Sequence, residues 1–134
     1  MKDVLFAIDA DESRAMVQAT TVTGLFDGEN VTAHLLHVFA DNPEGASVTQ
    51  LGSVRRIAAA LEDEGFAVEH HEESGDPVER IVETADEIDA DAICIAGRKR
   101  SSTGKLVFGS VTQDVILTTE RAVLVCGTAE SVTE

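Results

Sequence analysis

The sequence predicts a single α/β domain built on an open parallel sheet of five strands, with helices on both faces. Three observations predict it. The 134 residues match the size of one domain and are enough to bury a real core. Five short strand-like runs alternate with four stretches of helical periodicity. Two of those runs, residues 4–8 and Ala92–Ala96, are apolar almost without interruption, as expected of inner parallel strands buried on both faces. Such alternation implies parallel strands joined by right-handed crossovers.

The first strand, residues 4–8, ends at Asp9. A helix follows, with acidic residues at its start, where the helix dipole favours them, and Ser13 as the expected N-cap. Ala15, Ala19, Val22 and Phe26 recur at helical spacing, and Gly28 lies just past the end. Val31–Phe39 reads as the second strand, followed by a loop rich in turn formers at residues 41–45. Leu51, Val54, Ala58 and Leu61 give the second helix one apolar stripe, closed by Gly65 as a C-terminal cap. Residues 66–74 are strand-like yet carry Glu69, His70, His71, Glu72 and Glu73, which suits a sheet edge. Asp76, Pro77 and Glu79 mark the third helix start as cap, first-position proline and capping-box glutamate. Its buried face is Val78, Ile81, Val82, Ala85 and Ile88. Ala92–Ala96 is the fourth strand, Ser110–Thr118 the last helix with Val111 and Val115 inward, and Ala122–Cys126 the fifth strand.

Charge narrows the partners. Twenty-five carboxylates against ten bases give a formal net charge of −15, with no Trp or Tyr. Phosphate backbones require positive charge, so neither nucleic acid nor an anionic membrane is an expected partner. No run of 18 apolar residues occurs, and the N-terminus leads straight into a strand, so a soluble cytoplasmic protein is expected. The scattered acidity resembles that of cytosolic proteins from salt-loving organisms, in which salt screens internal repulsion. Cys94 and Cys126 each lie in an apolar run, as buried thiols rather than a disulfide or metal site.

Residues 97–112 reverse the local sign. They hold four of the ten bases (Arg98, Lys99, Arg100 and Lys105) and three glycines (Gly97, Gly104 and Gly109). A basic, glycine-bearing loop between an inner strand and a helix offers phosphate unpaired N–H groups, a helix dipole and side-chain donors; a surface turn is the other reading. Ligands of open α/β sheets bind beyond the carboxyl ends of strands where strand order reverses, and Asp9 and Gly97 both sit at such ends. A Walker loop does not fit, because Lys99 stands where its first glycine is required and Leu106 where the magnesium-binding hydroxyl is required. A Rossmann fingerprint is also missing after the first strand.

The pattern instead resembles the universal stress protein family, whose nucleotide-binding members carry Gly-x-x-Gly, nine residues, then Gly-Ser or Gly-Thr. Gly97 and the run Gly109, Ser110, Val111, Thr112 carry the likeness, together with Asp9 closing the first strand, Leu36-His37-Val38, and Gly75-Asp76-Pro77. It extends over essentially the whole chain. The resemblance implies a sheet order of 3-2-1-4-5 and ATP or a related adenine nucleotide as ligand, with or without magnesium. It implies that Asp9 approaches the ribose or adenine and that Val38 lines the adenine pocket. Ala96 and Gly97 would form the strand end that the nucleotide approaches, and Gly109, Ser110, Val111 and Thr112 would present N–H groups and hydroxyls to its phosphates. This chain departs from the pattern at Arg100, which replaces the second glycine, and eleven residues rather than twelve separate Gly97 from Gly109. Arg98 and Arg100 either replace the lost backbone donors with charge-assisted contacts or obstruct the pocket.

Other constellations carry less. His34 and His37 point to opposite faces of a strand, as do His70 and His71, so neither pair is a natural chelate. Asp11 reads as a turn-and-cap residue or as a partner of Asp9 around magnesium. No nucleophile and base stand at a known spacing, so no catalytic residue is expected, and a slow ATP hydrolase ranks last. By the family order, the apolar Ala122–Cys126 lies at a sheet edge, where pairing with a second copy would cover it and form a homodimer. The leading expectation is an ATP-binding regulatory protein that signals to an unidentified protein partner. The alternative is a scaffold of the same fold that binds no nucleotide and acts through protein partners alone.

Overall fold

The computed structural model describes residues 1–39, 51–97 and 109–127. Strands β1 (Lys2–Ala7), β2 (Val31–Phe39), β3 (Ala67–Ser74), β4 (Ala92–Ala96) and β5 (Ala122–Cys126) form one sheet of order β3-β2-β1-β4-β5. Every neighbouring pair is parallel. Helices α1 (Glu12–Leu25), α2 (Gly52–Asp63), α3 (Pro77–Glu87) and α4 (Ser110–Thr118) alternate with the strands. The chain steps outward from β1 to β3 and then returns to the other side of β1, so strand order reverses between β1 and β4.

The core has two layers, one on each sheet face. Side chains alternate across a strand, so Val4 and Phe6 of β1 pack with Ala19, Val22, Ile57 and Leu61 of α1 and α2. Leu5, Leu36 and Ile93 point the other way, against Ile81 and Ala85 of α3 and Val115 of α4. Burial on both faces explains why the inner strands read as continuous apolar runs. β3 is half-buried at best along its length, as its acidic and histidine-rich sequence predicts for an edge.

Several boundaries differ from the sequence reading, β3 among them, which starts at Ala67 rather than at Phe66. β1 begins at Lys2 rather than Val4 because backbone pairing of Lys2 with Val31 and Asp3 with Thr32 is indifferent to side-chain polarity. It ends at Ala7, although the Ile8 N–H still donates to the Leu36 carbonyl at 2.9 Å. Helix α1 is capped by Asp11, not Ser13: the Asp11 carboxylate accepts from the Arg14 N–H at 3.0 Å. Asp76 caps α3 in the same way through Glu79 N–H, with Pro77 at the first helical position. The Glu79 carboxylate meets Arg80 at 3.3 Å rather than closing a capping box.

Glycine is required at two turns. Gly65 ends the α2 segment with φ +92, in the left-handed region. Gly28 opens a short 3-10 turn (Gly28–Asn30) pressed so tightly on the Glu64 carbonyl and the Phe66 ring that a Cβ has no room. The turn formers at 41–45 lie outside the described residues. Among the described residues, no helix is long and apolar enough to cross a membrane. Cys94 and Cys126 are free and buried, with their sulfurs 3.4 Å apart. The hydrogen bond with Cys126 and burial hold the Cys94 thiol well above its ordinary range.

Candidate functional site

A cleft of about 250 Å³ opens beyond the carboxyl ends of β1, β2 and β4, where the strand order reverses. Its sheet wall is apolar, made by Ile8, Leu36, Val38 and Ile95, with Pro77 and Ile81 of α3 beside them. Gly109, Ser110, Val111 and Thr112 bring the N-terminus of α4 to the opposite side.

Among the described residues, no side chain caps that helix end. Gly109 occupies the N-cap position and supplies no side-chain hydrogen bond, whereas α1 and α3 are closed by Asp11 and Asp76. The first N–H to bond back is that of Gln113, to the Gly109 carbonyl at 3.1 Å. The N–H groups of the first turn have no intrahelical partner, and the helix dipole adds partial positive charge at the same place. The chemistry suits an anion. Thr112 fixes the helix against the sheet: its hydroxyl donates to the Ala96 carbonyl at 3.0 Å and the residue is buried. The hydroxyl proton is thereby committed to β4.

Asp9 is held from two sides. One carboxylate oxygen accepts from Arg14 Nε at 2.8 Å and the other from the Asp11 N–H at 2.9 Å. Ser53 donates to the Asp9 carbonyl at 2.7 Å, tying α2 to the same turn. The Asp11 carboxylate caps α1 and lies 3.8 Å from Arg14, which favours its turn-and-cap role over a shared magnesium site with Asp9. His37 also lines the cleft. Its Nδ1 lies 2.6 Å from the Ile8 carbonyl, an oxygen that only accepts, so a proton sits on Nδ1 and Nε2 is left for other partners.

The structure thus brings together Asp9, Val38, Ala96, Gly109, Ser110, Val111 and Thr112 of the residues expected from sequence. Gly97 is buried beside the cleft without lining it, and its N–H is used by the Cys126 carbonyl at 2.7 Å. Arg98 and Arg100 lie outside the described residues. Sequence reasoning did not place Arg14 in the site, and it noted His37 only within the Leu36-His37-Val38 pattern and as one of a histidine pair. Arg14 stands out in retrospect as a base placed in the first helical turn after Asp9, in an acidic stretch. The histidines need a correction of a different kind: His34 and His71 meet across β2 and β3 at 2.9 Å, although neither belongs to the other's sequence pair.

The sheet order and the cleft at its reversal define an α/β protein of the adenine nucleotide α-hydrolase-like class. Within that class, the chain belongs to the universal stress protein family, whose sequence profile matches residues 1–127. A universal stress protein from Archaeoglobus fulgidus is 29% identical, with 94% of this chain and 98% of that one covered at a TM-score of 0.78. A universal stress protein from the same organism, solved in complex with dAMP, is 23% identical over 94% and 98% of the two chains, with a TM-score of 0.72. A family member from Arabidopsis thaliana with AMP bound is 16% identical over 100% and 97%, with a TM-score of 0.73. Comparison with curated protein sequences gives no significant match.

Proposed function

We propose that this protein binds an adenine nucleotide, ATP or a close relative, in the cleft beyond β1 and β4, and acts as a cytoplasmic regulatory protein rather than an enzyme. The observation that carries the proposal is the N-terminus of α4, which no side chain among the described residues caps, facing an apolar cleft at the reversal of the sheet. The phosphates meet the first-turn N–H groups of Ser110, Val111 and Thr112, and the base lies against Val38. Asp9, oriented by Arg14, faces the ribose or the base. The dAMP and AMP complexes of the two structural neighbours support this ligand class.

Calorimetric titration of ATP, with and without magnesium, tests the proposal. Saturable binding that weakens in both Asp9→Ala and Gly109→Val is the expected result. Equal binding in wild type and both variants would put the ligand elsewhere, and no binding by folded protein would leave the scaffold reading. Phosphate release measured in parallel checks hydrolysis.

The regulatory surface is proposed to be a homodimer formed through β5. Val123, Leu124 and Val125 are only half-buried, and β5 is the outer strand on its side of the sheet. A monomer mass at micromolar concentration in molar salt would overturn this.

A further inference from the structure

We propose a second site, for one zinc-class divalent ion, formed by His34, Glu69 and His71 where β2 meets the edge strand β3. The register of this parallel pair sets His34 opposite Glu69 and Leu36 opposite His71, so alternation turns all three side chains to one sheet face. One donor atom from each lies within 4.8 Å of the other two. His34 Nδ1 is 2.9 Å from His71 Nε2 and 3.9 Å from Glu69 Oε1.

Asp3 prepares His34 for this role. Its carboxylate lies 2.9 Å from His34 Nε2, and an ionised carboxylate only accepts, so the His34 proton is held on Nε2. The Nδ1 lone pair is therefore turned to His71, with Glu69 Oε1 3.9 Å away on the same face. A carboxylate gripping the far nitrogen of a ligating histidine is the usual outer support of a zinc site. Without metal, His71 donates its Nε2 proton to His34 Nδ1. Loading requires His71 to carry that proton on Nδ1 instead, a change of tautomer with no net proton loss.

The distances lie near those a metal needs. Two nitrogens bound tetrahedrally to zinc stand about 3.3 Å apart, so the rings must part by about 0.4 Å and each turn by about 35° from the line of their hydrogen bond to face the metal. Glu69 is 62% exposed in its side chain and free to swing, while His34 is only 7% exposed, giving a fixed inner ligand and a mobile outer one. Access is from the sheet edge, and water completes the fourth position. Two imidazoles and one carboxylate favour zinc, copper or nickel over magnesium or calcium. The cluster is distinct from the nucleotide cleft: none of its members lines that cleft.

The test uses the full chain after treatment with chelator. Zinc is titrated calorimetrically, cobalt is titrated by its visible absorption, and melting is followed with and without zinc. One equivalent per chain is expected, with a zinc-dependent rise in melting temperature. His71→Ala, at a half-buried position, should abolish both while leaving a folded protein, and Asp3→Asn should weaken binding about 10- to 100-fold. His70→Ala should bind zinc as wild type does. Absence of stoichiometric binding in wild type overturns the proposal and leaves a hydrogen-bonded histidine pair. Binding that survives His71→Ala overturns it as well.

Discussion

Replacing Gly109 with aspartate sets stability and ligand binding in opposition. The backbone at 109, with φ −72 and ψ 163, is extended like the aspartate caps Asp11 (φ −85, ψ 115) and Asp76 (φ −74, ψ 120). Gly109→Asp therefore brings no backbone strain, and its carboxylate can accept from the open first turn of α4 as those two caps do. The cap adds a few tenths of a kcal/mol over glycine and the dipole about 0.3–1 kcal/mol. Melting should rise by about 3 °C. The same carboxylate stands where the phosphates are proposed to sit. At about 5 Å, repulsion between two unit charges runs from about 0.8 kcal/mol in water to about 3 kcal/mol at an effective dielectric constant of about 20. ATP binding should weaken by about 4- to 150-fold, while adenosine, which has no phosphate, should bind as before. Scanning calorimetry and titration with both ligands give the answer. A less stable variant would mean that the helix end is not open, unchanged ATP affinity would remove the phosphates from it, and equal loss for adenosine would indicate steric blockage.

Three further outcomes test the frame around the site. Gln18 is fully buried and its amide donates to the Ala7 carbonyl at 3.1 Å and the Cys94 carbonyl at 3.2 Å, so Gln18→Leu should cost about 1–3 kcal/mol in urea unfolding; an unchanged midpoint would contradict it. Gly28→Ala places a methyl group against the Glu64 carbonyl and the Phe66 ring and should destabilise by about 1–3 kcal/mol, read in the same assay. Cys94 and Cys126 are both buried, and the hydrogen bond with Cys126 and burial hold the Cys94 thiol neutral, while the same hydrogen bond lowers Cys126; burial should therefore keep both from reacting with an aromatic disulfide reagent at pH 8 until the protein unfolds, and rapid native-state labelling would show that the pair is accessible.

The sequence made the layers legible because hydrophobic period and turn chemistry agree. β4, β5 and α4 begin and end where expected, since each is bounded by a charged residue, a glycine or a hydroxyl that cannot continue an apolar run. The cap of α1 was less determinate. Asp11 and Ser13 are equally good caps in isolation, and the choice of Asp11 sets Arg14 at the third helical position, beside Asp9. A shift of two residues in a helix start thus hid a member of the cleft. The His34–His71 contact was hidden for another reason: period 2 tells which face a side chain takes, but the register between β2 and β3 is a tertiary property. Gly97 looked like a ligand contact from its place after β4, yet its N–H closes the ladder to β5. The four basic residues that mark the loop in the sequence, Arg98, Lys99, Arg100 and Lys105, lie outside the described residues.

The acidic surface and the proposed anionic ligand pull against each other, and salt separates their ranges. A formal net charge of −15 would repel ATP at long range, whereas the first turn of α4 would act on its phosphates at contact distance. The screening length falls from about 30 Å at 0.01 M salt to about 3 Å at 1 M. Raising salt over that interval removes the distant repulsion first and leaves the hydrogen-bonded contacts largely intact. ATP affinity should therefore rise with salt, AMP affinity should rise less because AMP carries fewer charges, and adenosine should be nearly indifferent. An ordinary cationic phosphate site behaves in the opposite way, losing affinity as its counterions compete. A monotonic fall for ATP would mean that local cations dominate, and would move the weight of phosphate binding from the α4 backbone to Arg98 and Arg100.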